Sequence, residues 1–227
     1  MYNLVDKFLM NSFDDEILKE LKDKKQPIIF DIGCYKGNYS RNLNKKLKLS
    51  KNNFYLFDAN PDLKINDFSY FNVVLSDKVQ HANFYFNKFF PSSGSSLKDI
   101  IKNDKLWNLS RKLISFNFHS SFSSFEVKTN TLDLFCEENK INKINLLKID
   151  LEGSEFDVLI GGKNILNNTD IIQLEILDKK NNFKSKEKKI KLFLEKYNFK
   201  ILKEKIIRSV SFLSNSMSMD ILLKKGN

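Results

Sequence analysis

Short apolar runs, most of which end in an acidic residue, recur along the chain. They cover residues 27–31, 54–58, 70–77, 144–150 and 170–176. Runs that are apolar throughout, without alternation, are typical of strands buried on both faces of a parallel sheet. The pattern therefore predicts five core strands, four of which are followed or ended by an acid, namely Asp31, Asp58, Asp77 and Asp150.

Apolar residues at helical spacing lie between these runs. Tyr39, Leu43 and Leu47 recur every four residues after the first strand, and a basic amphipathic helix carries Ile190 and Leu194. Further helices are expected around 12–21, where Ser12 and Asp15 have capping-box spacing, and from residue 132 onward. A half-exposed strand is expected at 82–86, and two late strands at 199–207 and 219–223.

Strands that alternate with helices predict an α/β fold with a Rossmann-like, mostly parallel central sheet, helices on both faces and an antiparallel C-terminal strand. We expect one domain over 1–227, with a helical extension at 1–26 and a substrate-side insertion at 87–125. Ligands of such sheets bind beyond the carboxyl ends of the strands. The four aspartates are therefore expected to lie around a ligand site.

Composition changes this interpretation little. The 227 residues carry a formal net charge of +10, but the lysines are interspersed with acids, as a general compositional bias would produce. Two cysteines are too few for a disulfide framework or a zinc site, and no run suits a membrane helix or a signal peptide. These features predict a cytoplasmic protein. The positive charge alone would also suit a nucleic-acid partner, but the interspersed acids argue against one.

The turn from Asp31 to Gly37 is the first candidate site. Gly33 and Gly37 allow the backbone to approach a ligand closely, but the third glycine of a dinucleotide-binding turn is missing. An acid before the first glycine favours a cationic group over a pyrophosphate. S-adenosylmethionine, which carries an ammonium and a sulfonium, suits this turn.

Two further acids extend the expected cofactor site. Asp58 ends the second strand, where a carboxylate can accept hydrogen bonds from both hydroxyls of a ribose. Asp77 follows the third strand and could bind the adenine edge. For both residues the alternative is an ordinary turn or capping role.

The densest charged segment is 148–155. Asp150 is the first candidate for a general base, Lys148 could orient it or pair with a glutamate, and Glu152 and Glu155 could bind substrate. A metal site of Asp150, Glu152 and Glu155 is conceivable by ligand type, but no histidine supports it, and we expect no metal.

The insertion holds weaker candidates. His119 is a rival general base, although a lone histidine among phenylalanines is more often simply packed or exposed. Ser93, Ser95 and Ser96 could hydrogen-bond a polyol substrate, or could form a plain serine-glycine turn.

Five blocks resemble, in order, those of the FkbM-type methyltransferases. They are residues 31–40, 57–61, 73–77, 131–133 and 147–155, and the most specific is the Lys-Ile-Asp-x-Glu-Gly-x-Glu block at its end. The resemblance spans about 27–177, and the segment 219–223 is similar too. Family members often have Ala-Asn where this chain has Cys34-Tyr35, and commonly Glu where Asp58 stands.

The resemblance implies S-adenosylmethionine as methyl donor and O-methylation of sugar-like or natural-product hydroxyls. The expected cofactor-binding residues are Asp31, Gly33, Tyr35, Gly37, Asp58, Ala59, Ser76, Asp77 and Asp150. The alternatives are a nucleotide-dependent oxidoreductase, against which the glycine turn argues, and a nucleic-acid-binding or RNA-methylating protein, for which no recognition motif is legible.

Overall fold

The computed structural model describes residues 13–87, 95–98, 109, 122–207 and 215–226. Its strands are β1 Ile29–Ile32, β2 Phe54–Phe57, β3 Ser69–Phe71, β4 Val74–Ser76, β5 His81–Asn87, β6 Phe122–Thr131, β7 Ile144–Ile149, β8 Thr169–Lys179, β9 Phe199–Ile207 and β10 Ser216–Lys225. Its α-helices are α1 Asp14–Leu21, α2 Asn38–Leu47, α3 Leu132–Glu138, α4 Glu155–Gly161 and α5 Lys180–Glu195.

A seven-stranded sheet in the order β3-β2-β1-β7-β8-β10-β9 forms the centre of the fold. The strands from β3 to β8 run parallel, whereas β10 is antiparallel to both β8 and β9. The predicted α/β class, the mostly parallel sheet and the antiparallel C-terminal strand are thus confirmed. The apolar runs were good indicators because β1 and β7 are buried along their whole length.

Helices cover both faces of this sheet. On one face α1 and α2 contribute Ile17, Leu21 and Leu43 to a buried cluster. On the other face α3, α4 and α5 pack side chains against the larger cluster, including Phe135 and Leu159. The side chain of Phe13, just before α1, is also buried, so α1 belongs to the layers that cover the sheet.

The third predicted strand is wrong as a continuous element. The run at 70–75 divides into β3, in the main sheet, and β4, in a second sheet of order β4-β6-β5. Asn72 lies at the division, and its side-chain amide donates to the carbonyl oxygens of Asp58 and Asn60 at 2.9 and 3.0 Å. These bonds draw the chain toward the loop after β2, so the residues that follow leave the main sheet.

Strand β6 and helix α4 were not predicted. β6 continues the 87–125 region into a strand that pairs antiparallel with β5 and parallel with β4. Helix α4 begins directly after the charged segment. The capping role expected for Ser12 lies outside the described residues, and the N-cap position of α1, Phe13, makes no side-chain capping bond.

Candidate active site

The turn between β1 and α2 lies directly against the end of β7. Gly33 has φ +80°, and a Cβ at this position would lie 1.9 Å from the carbonyl oxygen of Asp150. The backbone N–H of Gly33 donates to the carbonyl oxygen of Phe57 at 2.9 Å, which ties the turn to the end of β2. A glycine is therefore required here, because any side chain would separate the strand ends that form the site.

Asp58 is held by two backbone donors from the surrounding loops. One carboxylate oxygen accepts from the N–H of Tyr35 at 2.8 Å, and the other accepts from the N–H of Asn60 at 2.9 Å. Burial raises the pKa of this carboxyl, while these two hydrogen bonds oppose the rise. Each oxygen keeps a further lone pair, so the carboxylate can accept two hydroxyls side by side.

Tyr35 adopts a left-handed backbone conformation, with φ 45°. A bulky residue is strained in this region, whereas asparagine adopts it more readily. This chain thus has a tyrosine at a backbone position that suits asparagine, the residue that FkbM-type methyltransferases often have there.

A pocket opens between the ends of β1, β2 and β7 and the start of the second sheet. Of the predicted site residues, it is lined by Gly33, Tyr35, Asp58, Ala59, Ser95, Ser96, Asp150 and Glu152. One wall is apolar and was not predicted, and it is formed by Val73, Val74, Leu75, Phe84 and Leu97. The division of the third predicted strand contributes to this wall, since β4 leaves the main sheet and pairs with β6 in the second sheet.

Asp31 does not line the pocket, contrary to its predicted role beside a cationic cofactor group. It is fully buried and accepts from Lys148 Nζ at 3.1 Å and from the hydroxyl of Ser40 at 2.8 Å. Lys148 Nζ also lies 3.4 Å from an oxygen of Asp150 and 5.1 Å from the centre of the Tyr39 ring. The positive partner of Asp31 is therefore a side chain of the protein itself.

The ammonium of Lys148 stays charged in this setting. Burial on its own would lower the pKa of Lys148, but the negative charges of Asp31 and Asp150 outweigh it and raise that pKa above its ordinary value. Lys148 forms its ion pairs with Asp31 and Asp150, whereas Glu155, one of the partners considered for it, pairs with Lys186. Its position instead fits the expected role of orienting Asp150.

Glu155 is a structural residue of the turn between β7 and α4, so its predicted contact with substrate is wrong. It is fully buried and accepts from the N–H of Gly153 at 2.5 Å and from Lys186 Nζ at 2.8 Å. Lys186 also donates to the carbonyl oxygens of Gly153 and Leu177. Burial raises the pKa of Glu155, and Lys186 is the main opposing influence.

The serines of the insertion divide into two groups. Ser95 and Ser96 line the pocket, but the hydroxyl of Ser96 is engaged with the carbonyl oxygen of Leu151 at 2.9 Å and with the hydroxyl of Ser154 at 3.0 Å. Ser96 therefore anchors its segment to the turn after β7, which leaves it little capacity for a substrate. The predictions for Ser93 and His119 lie outside the described residues.

Three predicted cofactor residues lie away from the pocket wall. Gly37, with φ 72°, is the N-cap of α2, while Ser76 ends β4 in the second sheet and Asp77 directly follows it. The hydroxyl of Ser76 donates to Asp77 at 3.2 Å. The role expected for Asp77 depended on a continuous third strand, and the division of that strand removes Asp77 from the edge shared by the other aspartates.

Two acids that the sequence reasoning missed extend the site beyond Asp150. Glu175 on β8 lies opposite Asp220 on β10, and Leu174, the residue before Glu175, is the register partner of Ile149, the residue before Asp150. Burial, followed by the negative charge of Asp150, raises the pKa of Asp220 to about 7. The sequence signal that could have identified these two acids is their position inside apolar runs, at Gln173-Leu-Glu175-Ile and at Met219-Asp220-Ile.

Two further findings concern what the described ranges lack. Within 13–87, 95–98, 122–207 and 215–226, no group of histidine, cysteine or acidic side chains is arranged to hold a metal ion. Across the same part of the chain, none of the helices has the length and apolar character that crossing a membrane requires.

Comparison with known proteins gives one family match and one curated relative. The model of the FkbM methyltransferase domain matches residues 31–201. The 2-O-methyltransferase NoeI of Sinorhizobium fredii (strain NBRC 101917 / NGR234) is 29% identical over 175 residues, which cover 70% of this chain and 66% of that protein. The chain thus spans just under two thirds of the length of this relative.

Solved structures of two methyltransferases are also similar. A candidate tRNA (m1A22) methyltransferase of Streptococcus pneumoniae superimposes with a TM-score of 0.46 at 11% identity, over 96% of this chain and 71% of that one. The precorrin-6y C5,15-methyltransferase of Geobacter metallireducens GS-15 gives a TM-score of 0.41 at 11% identity, over 94% and 87%.

Proposed function

The chain belongs to the FkbM methyltransferase family, and we propose that it is an S-adenosylmethionine-dependent methyltransferase that acts on a hydroxyl oxygen of a saccharide or a related polyhydroxylated small molecule. The 2-O-methyltransferase relative supports an oxygen acceptor. Because this chain spans only part of that relative, the acceptor of the relative is a guide to the class of substrate and not to its identity.

The residues around the pocket fit S-adenosylmethionine. The Asp58 carboxylate is fixed by two N–H donors and has spare lone pairs for the ribose hydroxyls. The apolar wall around Leu75 and Phe84 suits the adenine ring, and Gly33 brings the β1–α2 turn against the end of β7. We therefore propose that the nucleoside binds between Asp58 and this wall, with the methionine part toward Gly33 and Asp150.

The chemistry then depends on how the acceptor loses its proton. S-adenosylmethionine supplies a methyl group on a positively charged sulfur, and an alcohol is a poor nucleophile for it at neutral pH. Asp150 lines the pocket and its side chain is 39% exposed, so an acceptor hydroxyl can reach it. Lys148 Nζ, 3.4 Å away, fixes the orientation of this carboxylate.

The observation that carries this proposal is the position of Asp150 between two parts of the site. Asp150 lines the proposed cofactor pocket. It is also the first of three neighbouring carboxyl groups, of which the other two are Glu175 on β8 and Asp220 on β10. A base at this junction can contact the acceptor on one side while the methyl donor occupies the other. Asp150 therefore receives the hydroxyl proton in our proposal.

Incubation of the protein with methyl-labelled S-adenosylmethionine and a panel of saccharides tests the function. We expect label in a product that is stable to alkali, as an ether is, and none in RNA transcripts. With the acceptor found, Asp150→Asn should lower kcat by about 100- to 10,000-fold, the usual contribution of a general base, with S-adenosylmethionine affinity retained.

The control variant is Asp23→Asn, which changes an exposed acid in the loop after α1. It should keep the activity of the unchanged protein. Full turnover in Asp150→Asn would remove Asp150 from the role of base, and label transferred to RNA but to no saccharide would contradict the acceptor class.

A further inference from the structure

A row of three carboxyl groups runs from the end of β7 across β8 and β10, next to the pocket. Leu174 on β8 is the register partner of Ile149, the last residue of β7, so Glu175 in β8 and Asp150 directly after β7 are the next residues along the chain. Glu175 is in turn the register partner of Asp220 on β10. The row therefore begins at the pocket and extends toward the antiparallel side of the sheet.

The first two carboxyls of this row are neighbours. Glu175 and Asp150 follow a register pair of adjacent parallel strands, so their side chains lie on the same face of the sheet, and Lys148 Nζ lies 3.4 Å from an oxygen of Asp150. A hydrogen bond between two carboxyl groups requires a proton on one of them, because ionised carboxylates only accept. Such a bond between Glu175 and Asp150 therefore depends on a proton held by one of the two.

The surroundings place this proton on Glu175. Burial is the largest influence that raises the pKa of Glu175 well above its ordinary value, followed by the negative charges of Asp150 and Glu152 and then that of Asp220. Asp150, in contrast, has the ammonium of Lys148 beside it and is 39% exposed. The neutral form is therefore favoured on Glu175.

We propose that Glu175 is a positioning residue, whose protonated carboxyl donates a hydrogen bond to Asp150 and, together with Lys148, fixes the oxygen of Asp150 that faces the acceptor. This inference rests on the proposed function, since it takes Asp150 as the base. The remaining charged or titratable groups of this region are Asp31 beside Lys148, Lys205 opposite Asp220, and the hydroxyl of Tyr39, which donates to Gln173 at 2.6 Å.

Infrared spectroscopy of the protein alone tests where the proton resides, without a cofactor or an acceptor. At neutral pH the unchanged protein should show the carbonyl band of a protonated carboxyl, and Glu175→Gln should lose it. Asp220 contributes a second such band, because its pKa is about 7, and Asp220→Asn identifies that band. A band that survives in both single variants at full intensity would overturn the proposal.

The control for this measurement is Glu204→Gln. Glu204 lies on β9, is 46% exposed and pairs with Lys191 at 2.8 Å, so its removal takes away one surface carboxyl. The protonated-carboxyl band should be unchanged in this variant.

Kinetic measurements, with an acceptor identified from the saccharide panel, distinguish whether Glu175 acts as a hydrogen-bond donor or as a base. The amide of Glu175→Gln can still donate to Asp150, so kcat should stay within about fivefold, whereas Glu175→Ala should lose about 10- to 100-fold, the effect of a hydrogen bond to a charged group. KM should change little in either variant. Loss of activity in Glu175→Gln with activity retained in Glu175→Asp would overturn the proposal, because a carboxylate would then be required.

The pH profile gives the second kinetic readout. As the pH rises through the elevated pKa of Glu175, its carboxyl loses the proton and with it the donated hydrogen bond, so kcat of the unchanged protein should fall at high pH. Glu175→Gln should lack this fall. A common profile for both proteins would overturn the proposal, whereas failure to find any hydroxyl acceptor would contradict the proposed function and leave the infrared result to decide on Glu175.

Discussion

Replacement of Lys148 by methionine should be strongly destabilising, because it leaves the charge of Asp31 in the core without its partner. Asp31 is fully buried, and Lys148 Nζ lies 3.1 Å from its carboxylate. At an effective dielectric constant of about 20, two unit charges at this distance attract by about 5 kcal/mol. Removal of one partner of a buried pair typically costs about 3–5 kcal/mol, and we expect Lys148→Met to lose that amount.

Removal of both charges should cost far less than the two single changes suggest. Asp31→Asn leaves Lys148 with Asp150 and the Tyr39 ring, so its loss should be about 1–2 kcal/mol. The double variant Asp31→Asn/Lys148→Met has no unpaired charge and should recover most of the loss. The coupling energy from the four proteins should be about 2–3 kcal/mol.

Urea denaturation of the four proteins at neutral pH measures these free energies of unfolding. Lys163→Met, which replaces an exposed lysine, is the control and should lie within about 0.5 kcal/mol of the unchanged protein. A loss below about 1 kcal/mol in Lys148→Met, or losses that simply add in the double variant, would refute the ion pair. So would an unaltered stability of Asp31→Asn with S-adenosylmethionine binding abolished, since Asp31 would then serve the cofactor.

Two further predictions concern the cofactor and the effect of pH on stability. Asp58→Ala should weaken S-adenosylmethionine binding by about 150- to 25,000-fold in a calorimetric titration, because two hydrogen bonds to a charged acceptor, each worth about 1.5–3 kcal/mol, are lost. Asp62→Ala, which changes an exposed acid of the same loop, should bind as the unchanged protein does. Equal affinity in the two variants would exclude Asp58. The pKa of Asp220 is about 7 in the folded chain and about 3.9 in the unfolded chain. Between these two values the folded chain retains a proton that the unfolded chain releases. The free energy of unfolding therefore falls as the pH rises from about 4 to about 7. Asp220→Asn removes that penalty and should be more stable by about 2–4 kcal/mol at pH 8 but not at pH 4, and parallel pH profiles in urea denaturation would contradict this.

The central strands were predictable because their burial is visible in the sequence. β2 was predicted with its observed bounds, and β1 and β7 to within a few residues, since strands buried on both faces are apolar at most of their positions. The break between β3 and β4 was not predictable in this way. The residues 70–75 are as apolar as a single strand, and the break depends on bonds from Asn72 to a loop distant in sequence.

The site was predictable where its residues belong to strand ends and glycine turns. Gly33, Asp58 and Asp150 lie where the alternation of strands and helices places them. Glu155 and Lys186 were not separable from their neighbours, because many other acids and lysines surround them in the sequence and only the folded chain shows that these two pair in the interior. Glu175 and Asp220 became visible as site residues through strand register, which joins positions far apart in the sequence.

The most direct test of the account is a crystal structure of the protein with S-adenosylhomocysteine. We predict that both ribose hydroxyls donate to the carboxylate of Asp58, that the adenine lies against Leu75 and Phe84, and that the sulfur points toward Asp150. A nucleoside bound elsewhere, or a ribose that makes no contact with Asp58, would contradict the assignment of this pocket as the methyl-donor site.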